Sequence, residues 1–262
     1  MTFIFAVLAT LALFNGRAVA DPTPTPPPKC EVPESLMSGE SDLPHVMDET
    51  KQRHRLDISV IGTGSSALAG ADGVRSAYPA RLEQALRERL PGDEIKVTPH
   101  VALRQTSAEM AAVLPKLLAD DHPALVIWQA GTVDALRGVE PDDFRAALEA
   151  GIDTIEAAKA DVILMNMQYS PRTESMLNVS AYADVMHWVA QQRGIVLFDR
   201  LAIMHYWTDA GVFDLYAATK DYAMARRVHD CIGRGLASQI INAAHLDVGM
   251  QATPQATPDV IK

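Results

Sequence analysis

Ser66 is the residue of this chain best placed to do chemistry. It lies in Gly64-Ser-Ser-Ala-Leu-Ala-Gly70, directly after the apolar stretch Asp57-Ile-Ser-Val-Ile-Gly62. An apolar run that breaks sharply into small residues reads as a strand-to-turn junction. Such a junction exposes a hydroxyl at the end of a parallel sheet, where α/β enzymes build their sites. The chemistry is nucleophilic attack on an acyl carbonyl. A serine hydroxyl is weak near neutral pH, so it needs an imidazole to remove its proton, and a carboxylate or carbonyl usually orients that imidazole. The oxyanion formed needs preorganised donors, each worth about 3 kcal/mol of barrier. The plainer alternative is a serine that ends a strand or caps a helix.

Other residues can supply parts of this machinery. Gln129 and Gln168 stand at or just beyond apolar runs and can donate to an oxyanion or to substrate; the alternative is a buried amide bonded to backbone. Arg104 offers a guanidinium for an anionic substrate group, or a charge-assisted oxyanion donor, against the alternative of a solvated loop residue. His100, near the end of the second apolar run, is a fallback base.

The Gly64–Gly70 segment resembles the GDSLTAG signature of the SGNH/GDSL serine hydrolases, with Ser66 in the nucleophile position and Ser65 replacing the aspartate. Further blocks over roughly residues 55–240 are similar to an exported branch of that family. They are His100-Val-Ala-Leu-Arg-Gln-Thr106, Val126-Ile-Trp-Gln-Ala-Gly-Thr-Val-Asp134, Leu164-Met-Asn-Met-Gln-Tyr-Ser-Pro171 and Leu197-Phe-Asp-Arg-Leu-Ala-Ile-Met-His-Tyr-Trp207. Five blocks in the right order make the resemblance specific. It implies a Ser66 acyl-enzyme and an oxyanion hole of the Ser66 N–H, a backbone N–H of the second block and a side chain of the third.

The chain departs from the pattern at the helper positions. Arg104 stands where a glycine is usual, and a side chain there resists a positive φ. Val133 replaces the asparagine donor, so Gln129 becomes the substitute donor, and Asp134 beside it is expected near the oxyanion or substrate whatever its role. For the D-x-x-H block, His229 is the candidate base, but Arg226 precedes it by three residues. Aligning on Cys231 instead puts Ala223 at the histidine position. His229 sits one position off its helix's apolar stripe, where a structural histidine is common. The expected function is hydrolysis of short acyl or acetyl esters, possible carriers including carbohydrate, through Ser66 and His229, without cofactor or metal. The alternative is a catalytically impaired protein of the same fold that binds an envelope glycan or partner.

The first 14 residues are almost wholly apolar, and Ala18-Val-Ala20 matches a signal-peptidase site. The run is too short to span a bilayer comfortably. No Lys or Arg precedes it, which keeps a retained anchor as the alternative. Cleavage after Ala20 gives a secreted or periplasmic chain with no further membrane span. Losing Arg17 takes the formal net charge from −10 to −11, which argues against nucleic acid as a partner. Cys30 and Cys231, an even count in an exported chain, suggest a disulfide; two free thiols are the alternative. No Cys or His pair has metal-ligand spacing.

These residues need a scaffold. Residues 21–28 form a polyproline-type leader within a 21–54 extension, and 247–262 read as a disordered tail. Between them, in a 55–246 domain, strands are expected at 58–62, 95–99, 124–129, 162–167 and 195–198. Helices are expected at 76–90, 106–119, 141–160 and 221–244, the second opening on a capping-box-like Thr-Ser-Ala-Glu. Near-continuous apolar strands alternating with amphipathic helices imply a parallel five-stranded sheet covered on both faces. The expectation is a three-layer α/β/α, flavodoxin-like sandwich, the fold of SGNH hydrolases.

Overall fold

A computed structural model of the chain describes residues 30–37, 41–101, 103–217 and 221–246. The expected signal segment, proline-rich leader and tail lie outside these residues. All five expected strands form: β1 (Arg55–Gly62), β2 (Glu94–Val101), β3 (Leu125–Gln129), β4 (Asp161–Met165) and β5 (Val196–Phe198). They pair in parallel in the order β2-β1-β3-β4-β5. Pro99, opposite Val60, is tolerated because β2 is an edge strand and a missing N–H there breaks no second ladder.

Side chains along the strands alternate between two cores, as the two-residue period of a strand requires. Ile58, Val60, Leu125, Ile127, Ile163 and Met165 pack on one face. Their neighbours Ile61, Val126, Trp128, Val162 and Leu164 pack on the other. The first face is covered by α1 (Pro44–Arg53), α2 (Tyr78–Arg89) and α7 (Ala223–Ala243). The second is covered by α3 (Ser107–Asp121), α4 (Pro141–Ala157) and α5 (Val179–Arg193). A further helix, α6 (Arg200–Asp209), begins directly after β5. The three-layer arrangement read from the sequence is therefore the one that forms.

The expected capping box is present: Thr106 accepts from the Glu109 N–H while Glu109 reaches back to the Thr106 N–H. Part of the 21–54 extension packs into the domain, since Leu43 and Val46 are core residues and the Val46 N–H donates to Asp161. Cys30 and Cys231 form a disulfide with Cα atoms 5.3 Å apart, tying the first described residue to α7. Among the described residues no helix is long and apolar enough to cross a membrane.

Candidate active site

Ser66 closes a single 3₁₀ turn, Gly64–Ser66, at the carboxyl end of β1. The sheet order reverses at β1, with β2 on one side and β3 on the other, and such a switch point opens a crevice. Gly62 ends β1 because nothing larger fits: a Cβ there would collide with Ser66 Oγ and come within 2.9 Å of Gln129 Oε1. Ser66 is 2% exposed. Its hydroxyl lies 3.0 Å from Gln129 Oε1 and 2.9 Å from the Tyr78 hydroxyl. An amide oxygen only accepts, so Ser66 donates to Gln129 and the Tyr78 phenol donates to Ser66 Oγ. Burial raises the Tyr78 phenol above its ordinary range, keeping it a donor.

Gln129, the last residue of β3, is the hub of this turn. Its Oε1 also accepts from the Thr63 N–H at 3.0 Å, the Thr63 hydroxyl at 3.1 Å and the Ser65 hydroxyl at 3.2 Å. The Thr63 N–H fixes which end of the amide faces the serines. Gln129 Nε2 is buried without a partner, so it retains a donor. The Ser66 N–H, by contrast, donates to Thr63 O at 2.9 Å within the turn.

The most unusual side chain here is Arg200, the first residue of α6, which is 0% exposed. Its Nη1 reaches Ser65 O at 3.4 Å and Ser65 Oγ at 3.3 Å, and its Nη2 donates to Gln168 Oε1 at 3.1 Å. The guanidinium lies 5.7 Å from the Tyr78 ring centroid. Its Nε has no partner. No carboxylate of the described residues neutralises it, and burial lowers its pKa to about 10, still charged at neutral pH. Sequence reasoning missed this residue: nothing in Leu197-Phe-Asp-Arg200 separates it from a surface cation at a strand end.

His229, on α7, is 4% exposed, and its Nδ1 accepts from the Tyr78 N–H at 3.0 Å. A neutral imidazole has one lone pair, so its proton sits on Nε2. Burial, and then the nearby Arg200 charge, pull its pKa down to about 3. Arg200 and His229 share a cavity of about 230 Å³ whose walls include Gln168, Tyr169, Met204 and Val228.

The other expected site residues lie apart from this cluster. Asp134 is buried, with Oδ1 accepting from the Ser107 N–H and hydroxyl and Oδ2 from the Gly131 N–H, so it fixes the start of α3 to the turn after β3. Arg104 is exposed and does take a positive φ, 61°; its carbonyl accepts from Arg137 Nη2 at 2.6 Å. His100 pairs with Asp121 at 2.6 Å on edge strand β2. Ser66 and His229 thus both meet Tyr78, and Gln129 is linked to it through the Ser66 hydroxyl.

The buried imidazole makes a prediction about acid stability. Between pH 6.5 and about 3 the unfolded chain binds a proton that native His229 refuses, so its contribution falls as pH drops through that window. The maximal slope is about 1.4 kcal/mol per pH unit. Asp161, whose buried carboxyl is raised to about 6, works in the opposite sense, losing stability as pH rises from 3.8 through 6. His229→Gln isolates the histidine term, because the amide can still accept from Tyr78. Between pH 7 and 5, urea denaturation should show the parent losing about 2 kcal/mol more than His229→Gln. Parallel curves would refute the buried neutral imidazole.

Comparison with known proteins follows the same outline. A sequence model of the non-GDSL lipase-like family matches residues 29–246. The esterase TesA of Pseudomonas aeruginosa is 30% identical over 148 residues, 56% of this chain and 72% of that protein. An arylesterase of Vibrio mimicus is 30% identical over 109 residues, 41% of this chain and 54% of that protein. The crystal structure of TesA aligns with a TM-score of 0.56 at 24% identity, covering 71% of this chain and 99% of the other. A two-domain esterase active on acetylated mannans aligns at 0.62 and 13% identity, covering 86% and 59%. The structural likenesses speak for the fold.

Proposed function

Because this chain belongs to the non-GDSL lipase-like family, a group of SGNH/GDSL-type hydrolases, we propose that it hydrolyses carboxylic esters with Ser66 as the nucleophile. The observation that carries this reading is the Ser66 hydroxyl itself. It is held between Tyr78 and Gln129 at the carboxyl end of β1, in a family whose relatives include an esterase and an arylesterase. Ser66 Oγ attacks the ester carbonyl, the C–O bond to the alcohol breaks, and water then releases the acid from the acyl-enzyme. The oxyanion is met by the two donors here that have no partner, Gln129 Nε2 and Arg200 Nε.

His229 is assigned a donor role in place of the expected base, since its one lone pair is engaged by the Tyr78 amide. Deprotonation of Ser66 then falls to solvent, and the factor of about 10²–10⁴ that a positioned base supplies is absent. Esters with good leaving groups should therefore be preferred, because an aryl oxide departs without a proton. Short acyl esters, acetyl esters on carbohydrate among them, are the candidate substrates. A disulfide and the lack of a membrane-crossing helix among the described residues are compatible with a secreted enzyme.

The test is turnover of p-nitrophenyl acetate and butyrate by the purified protein across pH 5–9. The expected log rate rises steadily with pH, without the plateau that a titrating histidine imposes. An inflection near pH 6–7 would restore an imidazole base. Absence of turnover would favour the second reading, a binding protein of this fold, which draws on the Ser66 N–H being engaged within its own turn.

A further inference from the structure

We propose that the cavity lined by Arg200, Gln168 and His229 is a binding site for a small organic carboxylate, with Arg200 as its principal recognition group. The first ground is an uncompensated charge. A guanidinium taken wholly out of water is costly unless an anion accompanies it, and this one is met only by neutral acceptors, Ser65 and Gln168, and by the Tyr78 ring. Its Nε, buried and without a partner, is a donor still to be satisfied. A completed interior site would leave neither the charge nor that N–H unmatched.

The second ground is that the polar walls are donors. His229 gives its Nδ1 lone pair to the Tyr78 amide, so the nitrogen left for a ligand is Nε2–H. Gln168 commits its oxygen to Arg200, leaving its amide nitrogen as donor. Three side chains that can donate, one of them cationic, suit a planar ligand that only accepts, which a carboxylate is. The one acid on the lining, Asp214, is turned to its own loop, its Oδ1 accepting from the Tyr216 and Ala217 N–H groups at 3.1 Å each. Met204, Leu215, Met224 and Val228 complete the walls with apolar surface. A cavity of about 230 Å³ holds a few carbons beyond the carboxylate. The expected anion-binding arginine of the sequence, Arg104, is exposed elsewhere; Arg200 takes that role.

Two sources share this chemistry: the acid released by ester hydrolysis, and a carboxylate carried elsewhere on the substrate. Calorimetric titration of the full-length protein with butyrate and with neutral butyramide reads binding without turnover. Butyrate should bind at least tenfold more tightly than butyramide. Arg200→Met should lose that preference, and Arg200→Lys, which keeps the charge if the methionine variant fails to fold, should retain part of it. Equal binding of the two ligands, or no binding of either, would overturn the proposal. Kinetics then separate the sources: a lower KM for monomethyl than for dimethyl succinate points to a substrate carboxylate, whereas competitive inhibition by butyrate with equal KM values points to the product. Carboxylate binding without ester turnover would sink only the hydrolase reading, and turnover without carboxylate binding only this one.

Discussion

Ser66→Ala is expected to lower kcat/KM for p-nitrophenyl acetate by on the order of 10²–10⁴-fold. Removing the serine from a complete triad costs on the order of 10⁶-fold. Here no imidazole touches Ser66, so the 10²–10⁴ of general-base catalysis is already missing and only the remainder is there to lose. The substitution is mild for the fold. It removes one oxygen from a buried cluster in which Gln129 Oε1 keeps its three other donors. The Tyr78 hydroxyl loses its acceptor, and a stranded buried donor costs about 1–3 kcal/mol. A loss of activity far larger than the loss of stability is therefore the signature to look for. If Ser65→Ala abolished turnover and Ser66→Ala did not, the nucleophile would lie one residue earlier, on the more exposed hydroxyl that also meets Arg200 at 3.3 Å.

The second large effect concerns Cys30 and Cys231. The double replacement by serine should cost about 2–5 kcal/mol in urea denaturation, the usual range for losing a native disulfide. The pair spans 201 residues, and in the chain-entropy model a closure of that length constrains the unfolded state by up to roughly 5 kcal/mol. The native side is well packed: Cys231 is buried in the core, and Val32, Leu36 and Met37 pack against the same cluster. The effect should be reproduced by reductant acting on the parent and be absent when reductant acts on the variant. A change below 1 kcal/mol in both experiments would show that packing alone holds the 30–37 segment to α7.

The strands were legible because each is a short apolar run with turn residues at its ends, and the alternation of strands with helices dictates the three layers. The helices that escaped notice have physical reasons for it. Val179–Arg193 and Arg200–Asp209 carry apolar residues without one clean stripe, and Pro44–Arg53 buries only Val46 and Thr50, so it reads as part of a polar extension. Ser66 and Gln129 were found because each sits where a strand stops. Arg200 was not, because arginine is almost never fully buried and nothing local distinguishes it from a surface cation. The placement of His229 at the edge of an apolar stripe was visible. The partner that decides its chemistry was not: the Tyr78 amide is 151 residues away in sequence and reaches the imidazole only when α2 packs on α7.

Ser66 is proposed to be a reactive nucleophile despite its missing helpers. Mapping the adduct of a fluorophosphonate probe on the purified protein by peptide mass spectrometry tests it directly. Slow, stoichiometric modification of Ser66 that disappears in Ser66→Ala is the expected result. A protein that turns over aryl esters while Ser66 stays unmodified would contradict it.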